Sequence, residues 1–280
     1  MTSLVALGQM IRLSHSVFAL PFALASAWMA SEGHAVGPWR WAGIVAAVVL
    51  ARATAMAFNR VVDRDIDGLN PRTKDREIPS GKIGLTTAVV FTAATAAAFV
   101  AVAFSLGPLV GWLSPIALAV VWGYSWTKRF TSWCHAVLGL ALALAPTGAW
   151  LAVRGTYDWT PFWISLAVAT WVAGFDMLYS TQDRDFDAGA GLHSAPVKLG
   201  LARTLALSTA LHVGTMAFLA AVAWVSPRGP AYAVGWVIMA VVLAYEHHIV
   251  RPDDLSRLDK AFFDLNGAVS LLFLGGVLLS

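Results

Sequence analysis

The sequence is dominated by apolar runs that are each long enough to cross a lipid bilayer. A membrane-spanning helix needs about 20 mainly apolar residues, because the hydrocarbon core is about 30 Å thick. Nine such runs recur along the chain, at 13–31, 39–60, 85–106, 108–126, 133–153, 161–181, 203–225, 230–249 and 261–279. We therefore expect an all-α, polytopic membrane protein in which nine transmembrane helices surround a central cavity, as one domain over residues 1–280.

The basic residues are divided unevenly between the two sides that these runs define. Fifteen of the nineteen Lys and Arg residues lie on the side of the N-terminus and of the loops after even-numbered runs. Arg40, Arg154 and Arg228 lie on the other side, and Arg52 falls inside the second run. Because loops rich in Lys and Arg stay in the cytoplasm, we predict a cytoplasmic N-terminus in the inner (plasma) membrane. No basic stripe outside these short loops indicates a nucleic-acid partner.

Two charged segments of similar sequence follow even-numbered runs. The first reads NRVVDRDID at 59–67 and the second YSTQDRDFD at 179–187, in a chain that is only 12% charged. Both segments are expected at the cytoplasmic ends of helices, where they can face each other across the cavity. Side chains four residues apart share one face of a helix. This spacing predicts two rows, which are Asn59, Asp63 and Asp67 in the first segment and Asp176, Tyr179, Asp183 and Asp187 in the second.

Four carboxylates at the mouth of an apolar cavity would repel one another unless a cation lay between them. Oxygen ligands suit Mg2+, which usually takes one or two protein carboxylates together with water and substrate phosphates. We therefore predict that Mg2+ is the cofactor and that it bridges a diphosphate to Asp63, Asp67, Asp183 and Asp187. The alternative, that these are loop charges paired with nearby Arg residues, is disfavoured by the duplication.

Several cations are candidates for the diphosphate. Arg72 and Arg76 follow the first row in NPRTKDREIPSG, and a guanidinium group makes bidentate contacts with phosphate. Lys128 lies in YSWTKR after the fourth run, with Tyr124 one turn earlier on the same face, and Lys198 lies in the loop after the second row. A loop-structural role is the alternative for each.

Arg52 is a different kind of candidate, because an ionisable group inside a membrane run marks a functional site by default. It lies seven residues before Asn59 and on the same helix face. We predict that it binds the carboxylate of a second substrate, deeper than the diphosphate. Pairing with Asp264 or with the diphosphate itself is the alternative.

Three motifs carry a resemblance to a known family. They are Asn59-Arg60-x-x-Asp63-x-x-x-Asp67, Tyr124-x-x-x-Lys128 and Tyr179-x-x-x-Asp183-x-x-x-Asp187, and they resemble the signatures of UbiA-type membrane prenyltransferases. Within that superfamily, NPRTKDREIPSGKIG and RPDDLSRLDKAFFDLNG are similar to 4-hydroxybenzoate polyprenyltransferases and to prenyltransferases of the futalosine route to menaquinone.

The resemblance implies Mg2+-dependent transfer of a polyprenyl chain from its diphosphate to a hydroxylated aromatic acid, in ubiquinone or menaquinone biosynthesis. It implies that Asn59 and the four motif aspartates are catalytic, with the active site facing the cytoplasm. The implied partners are the two substrates and the lipid bilayer, and no obligate protein partner is evident.

Other functions remain open at this point. Heme O synthases and chlorophyll synthases share the superfamily motifs. A divalent-cation transporter, from a different class, could use aspartate rows as a permeation site, although transporter sites usually lie near the bilayer midplane. A CDP-alcohol phosphotransferase is disfavoured because its Asp-Gly-x-x-Ala-Arg type of motif is absent.

The charge distribution generates a prediction about topology. Single cysteines introduced into 61–82 or 183–202, after removal of Cys134, should be protected from a membrane-impermeant thiol reagent added outside intact cells. A cysteine at Tyr157, on the opposite side, should react. Labelling of the first two loops from outside would contradict the orientation.

Overall fold

The computed structural model describes residues 3–11 and 18–280, and within them every regular element is helical. The helices are α1 (Ser3–Ile11), α2 (Leu20–Ser31), α3 (Pro38–Val62), α4 (Arg64–Leu69), α5 (Leu85–Leu106), α6 (Pro108–Thr127), α7 (Cys134–Arg154), α8 (Trp159–Ser180), α9 (Arg184–Gly189), α10 (Ala195–Leu199), α11 (Leu201–Val225), α12 (Pro230–Ile249) and α13 (Asn266–Leu278). A 3₁₀ turn (Thr181–Asp183) joins α8 to α9, and a π-helix (Lys260–Leu265) leads into α13.

Eight segments of the described residues are long and apolar enough to cross a membrane. They correspond to eight of the runs seen in the sequence, so the all-α, multi-pass fold is confirmed. The first run, 13–31, differs: its described part is α2, which has 12 residues, and residues 12–17 lie outside the described ones. The count of nine helices and the cytoplasmic N-terminus therefore stay predictions.

Local sequence explains where the long helices begin. Helices α3, α6 and α12 each start with proline immediately after glycine, at Pro38, Pro108 and Pro230. Proline suits the first helical position because its fixed φ is already helical and its missing N–H would have no partner there. Helix α8 instead begins after Asp158, whose carboxylate accepts a hydrogen bond of 2.6 Å from the N–H of Trp159.

Aromatic packing joins α2 to the helices α8 and α13 of the second half of the chain. The ring of Phe22 on α2 lies 5.1 Å from that of Trp171 on α8 and stacks at 4.7 Å on Phe273 of α13. All three side chains are fully buried. Large apolar side chains such as Trp112 and Val241 are instead exposed on the long helices. This arrangement, apolar both inside and outside, is expected of helices that face lipid.

The two aspartate segments share one backbone arrangement. Helix α3 ends at Val62, Asp63 adopts φ −90° and ψ 3°, and the six-residue helix α4 follows. Helix α8 ends at Ser180, and after the 3₁₀ turn Asp183 adopts φ −96° and ψ 0° before the six-residue helix α9. These angles lie in the sparsely populated bridge region, where many active-site residues are found. In both segments the first motif aspartate therefore lies at the break between a long helix and a short one.

Glycine allows α7 and α8 to pack closely. A Cβ atom at Gly139 would lie 2.2 Å from the carbonyl oxygen of Ala169, whereas one at Gly148, on the same helix, would meet nothing within 4 Å. Small residues at helix contacts are typical of membrane proteins, because they let backbones approach.

We expect Gly139→Ala to force α7 and α8 apart and to destabilise the fold by about 1–3 kcal/mol, the usual range for overpacking. The measurement is the midpoint of thermal unfolding in detergent, with Gly148→Ala as the matched control. Equal midpoints for the two variants would show that the packing tolerates the added methyl group.

Candidate active site

A polar cavity of about 220 Å³ lies where the two aspartate segments meet. Eleven of the thirteen site residues predicted from the sequence line it: Asn59, Asp63, Asp67, Arg72, Arg76, Tyr124, Lys128, Asp176, Tyr179, Asp183 and Asp187. The structure therefore brings together three motifs that are far apart in the sequence. Asp65 and Asp185, the intervening aspartates of the same motifs, are exposed and do not line the cavity.

Asp63 lies at the break after α3 and is held from three directions. Its carboxylate accepts a hydrogen bond of 2.8 Å from Asn59 Nδ2, four residues earlier, as the predicted row requires. Arg129 Nη2 donates to Asp63 Oδ1 at 2.8 Å, and Lys128 Nζ lies 3.6 Å from Asp63 Oδ2, the oxygen that also binds Asn59. The side chain of Asp63 is only 4% exposed. These contacts offset the cost of burying a carboxylate in the cavity wall.

Asp67 is held by a cation on one side only. Arg76 Nη1 donates to Asp67 Oδ1 at 2.7 Å. The second oxygen, Oδ2, is buried and has no hydrogen-bond partner among the described residues. An unpaired carboxylate oxygen in a buried position is costly. This oxygen is therefore available to a ligand that brings positive charge.

Asp183 joins the second segment to the loop after the first. Arg72 donates to both of its oxygens, at 2.8 and 2.5 Å, and Asn70 Nδ2 donates to Oδ1 at 3.1 Å. Burial alone would lower the pKa of Arg72, but the hydrogen bonds and the negative charge of Asp183 outweigh burial and raise it. The Arg72 guanidinium group also lies 5.6 Å from the centre of the Tyr179 ring. Arg72 is thus charged and fixed between the two segments.

An apolar cavity of about 380 Å³ adjoins the polar one. Tyr124 and Leu138 line both cavities, so they mark where the two meet. The apolar cavity is formed mainly by Ala, Val and Leu side chains of α3, α5, α6 and α7. Its volume and lining suit a flexible hydrocarbon chain whose polar end lies in the polar cavity.

Arg52 lines the apolar cavity and not the polar one. Its Nε atom is buried without a hydrogen-bond partner, and Arg52 forms no ion pair within the described residues. Asp264, the alternative partner considered from the sequence, is exposed. A guanidinium group in an apolar cavity needs an anion, and no residue in the described part of the chain supplies one.

The remaining predicted residue, Lys198, is exposed at the end of α10 and lines neither cavity. Its contact with phosphate stays a prediction. Three residues that bind motif or cavity carboxylates were missed by the sequence analysis: Asn70, Arg129 and His135. Arg129 adjoins Lys128 and could have been inferred from that proximity. Asn70 and His135 carry no spacing signal, because their partners are 113 and 41 residues away.

The carboxylates do not form a metal site by themselves. Within residues 3–11 and 18–280, no three His, Cys, Asp or Glu side chains are grouped closely enough to hold a metal ion. The arrangement is therefore that of separate carboxylates and cations lining one cavity, which an anionic ligand and a metal ion together could bridge.

Comparison with known proteins identifies the family. The chain matches the UbiA prenyltransferase family over residues 19–270. It is 31% identical to the 4-hydroxybenzoate octaprenyltransferase of Salmonella paratyphi C (strain RKS4594) over 251 residues, which is 89% of this chain and 85% of the relative. It is 29% identical to the enzyme of the same name from Aromatoleum aromaticum over 252 residues, or 90% and 85% of the two chains.

Solved structures share the fold. The apo structure of a UbiA homolog from Aeropyrum pernix K1 superposes with a TM-score of 0.87 at 32% identity, over 95% of this chain and 98% of that one. A UbiA homolog from Archaeoglobus fulgidus, bound to DMAPP and Mg2+, superposes with a TM-score of 0.76 at 20% identity, over 98% of each chain.

The fold and the site thus define a multi-pass membrane protein with paired aspartate motifs at the mouth of an apolar cavity. The chain belongs to the UbiA prenyltransferase family. The resemblance seen in the sequence is confirmed, and the protein is a prenyltransferase rather than a divalent-cation transporter.

Proposed function

We propose that this protein transfers a polyprenyl group from a polyprenyl diphosphate to a hydroxylated aromatic acid, such as 4-hydroxybenzoate or a dihydroxynaphthoate, in quinone biosynthesis. The single observation that carries the proposal is the junction of two cavities. A cavity lined by carboxylates and cations opens beside an apolar one, and Arg52, whose buried Nε has no hydrogen-bond partner among residues 3–11 and 18–280, lines the apolar side. The names of the similar octaprenyltransferases support an aromatic acceptor.

The donor set of the polar cavity fits Mg2+. The candidate ligands Asp63, Asp67, Asp183 and Asp187 offer only hard carboxylate oxygens. One of these oxygens, Asp67 Oδ2, is buried and has no hydrogen-bond partner among the residues that the structure describes. Because Mg2+ usually combines one or two carboxylates with phosphate oxygens and water, it does not require three protein ligands in contact. When bound, Mg2+ would supply positive charge to the diphosphate leaving group. Related structures that contain Mg2+ with a prenyl diphosphate support this proposal.

The residues of the chain have distinct parts in the proposed reaction. Arg72, Arg76 and Lys128 bind the diphosphate and compensate its charge while the allylic C–O bond breaks. Tyr179 holds Arg72 through its ring face, and Tyr124 lies between the diphosphate and the acceptor. The allylic cation is then attacked by the ring carbon ortho to the acceptor hydroxyl. The ring proton passes to the released diphosphate or to water, which restores aromaticity. The prenyl group goes directly from the diphosphate to the ring, so no covalent enzyme intermediate is required.

The direct test is an assay of the purified protein with a polyprenyl diphosphate, Mg2+ and a panel of aromatic acceptors, with products identified by mass. The panel should include 4-hydroxybenzoate and 1,4-dihydroxy-2-naphthoate, and it should include heme B and a chlorophyllide to test the alternatives within the family. We expect a prenylated hydroxy acid. Product from heme B or the chlorophyllide alone would replace the proposed acceptor class.

The aspartate rows generate a prediction with an internal control. Two double variants should lower turnover on the order of 10³-fold or more, because each removes charge that would hold the Mg2+ and diphosphate. One combines Asp63→Asn with Asp67→Asn, and the other combines Asp183→Asn with Asp187→Asn. Asp65→Asn and Asp185→Asn change exposed residues of the same motifs and should keep turnover near that of the wild type. Near-normal turnover in either paired variant would refute the assignment.

Arg52 is proposed to bind the carboxylate of the acceptor. The charge of the acid would satisfy a guanidinium group that the described protein leaves without an anion. The ring would then lie on the apolar side of Tyr124, with its reactive carbon directed towards the diphosphate.

We expect Arg52→Ala to raise the Michaelis constant for an acid acceptor by roughly 10-fold or more, since it removes a charge-assisted hydrogen bond of about 1.5–3 kcal/mol. The Michaelis constant for the prenyl diphosphate should change little. Steady-state kinetics with each substrate varied in turn provides the measurement. Equal impairment towards 4-hydroxybenzamide, which lacks the negative charge, would assign Arg52 another role.

A further inference from the structure

A second polar pair lines the polar cavity outside the diphosphate motifs. His135, in the first turn of α7, has its Nδ1 atom 2.7 Å from Asp176 Oδ2 on α8. The side chain of His135 is 3% exposed, whereas that of Asp176 is 26% exposed, and both residues line the cavity. His135 is the only hydrogen-bond partner of the Asp176 side chain within residues 3–11 and 18–280, and it binds Oδ2 rather than Oδ1. One oxygen of this carboxylate is therefore held and the other is free to bind a ligand.

The other nitrogen of His135 fixes the direction of this hydrogen bond. The backbone N–H of Ala195, at the start of α10, donates to His135 Nε2 at 3.1 Å. A backbone N–H can only donate, so Nε2 must carry the lone pair, and Nδ1 must carry the proton that is donated to Asp176. His135 therefore connects Asp176 to the segment that follows the second aspartate motif. The orientation of the carboxylate depends on that connection.

Asp176 also differs in its charge environment from most of the motif aspartates. Asp63, Asp67 and Asp183 each contact an Arg or Lys side chain. Within the described part of the chain, the side chain of Asp176 forms a hydrogen bond and an ion pair only with His135, and no Lys or Arg pairs with it. It lines the polar cavity, which shares Tyr124 and Leu138 with the apolar cavity that contains Arg52. The cation Arg52 thus lies on the apolar side of the junction between the two cavities, and the hydrogen-bond acceptor Asp176 lies on the polar side.

We propose that Asp176 accepts a hydrogen bond from the ring hydroxyl of the aromatic acceptor and that His135 is its positioning residue. The inference rests on the proposed function, in which the acceptor is a hydroxylated acid, and it assigns a protein group to each polar end of that molecule. As the ring attacks the allylic carbon, positive charge develops on the hydroxyl oxygen. A carboxylate that accepts the O–H stabilises this charge and so favours attack through the ortho carbon.

The first experiment measures binding rather than turnover. The full-length protein in detergent, with Mg2+ and an unreactive prenyl thiolodiphosphate, is titrated with 4-hydroxybenzoate and with 4-fluorobenzoate, which lacks the O–H donor. We expect the wild type to prefer the hydroxylated acid by roughly 10- to 100-fold, the range for a hydrogen bond to a charged group. Asp176→Asn should lose most of this preference while keeping its affinity for the thiolodiphosphate.

The second experiment tests His135 as a positioning residue. His135→Leu should raise the Michaelis constant for 4-hydroxybenzoate by roughly 10-fold and leave that for the diphosphate unchanged. His135→Gln should restore most of the loss, because a glutamine amide can donate to Asp176 and accept from Ala195 with one side chain. Thermal unfolding of each variant identifies any that fail to fold, and the glutamine variant keeps the test valid in that case.

The outcomes separate this inference from the proposed function. If the wild type prenylates no hydroxylated acid, the proposed function fails. If it does prenylate one, but binds the two benzoates equally or keeps its hydroxyl preference in Asp176→Asn, only the role of Asp176 is overturned. Equal impairment of His135→Gln and His135→Leu would overturn the role of His135.

Discussion

The site depends on the pairing of buried carboxylates with Arg and Lys side chains at the edge of an apolar helix bundle. Three of the motif aspartates contact a cation, and the carboxylate of Asp183 receives three hydrogen bonds from the loop after α4. Unpaired, these charges would be costly where water is largely excluded. Their pairing therefore connects the segments that follow α3 and α8 and gives the polar cavity its shape.

The boundary between the two cavities separates two kinds of chemistry. On one side, fixed charges and hydrogen-bond donors suit a diphosphate. On the other, small apolar side chains leave space that a hydrocarbon chain can fill. Tyr124 and Leu138 belong to both sides. The reacting allylic carbon lies between a diphosphate and a hydrocarbon chain within one molecule, so this boundary is where the proposed transfer would occur.

The regular spacing of residues explains which parts of this structure could be predicted from the sequence. The apolar runs predicted the long helices, because membrane spans are defined by length and composition. Asn59, Asp63 and Asp67 keep their four-residue helical spacing across the break after Val62. The reason is that the backbone N–H of Asp63 still donates to Asn59 O, and that of Asp67 to Asp63 O. The break itself has no sequence signal. His135 and Asn70 could not be found, since their roles arise from contacts between segments distant in the chain, and the exposed position of Lys198 depends on how α10 folds.

The duplicated helix break has a consequence for how the protein is made. Asp63 and Asp67 come from the first half of the chain, and Asp183 and Asp187 from the second, with Arg72 of the first half bound to Asp183. Neither half contains a complete set of carboxylates and cations. During synthesis the first helices enter the membrane before the second motif exists. The nascent chain therefore cannot complete the polar cavity until α8 and α9 have been made, and the proposed diphosphate site would form late in biogenesis.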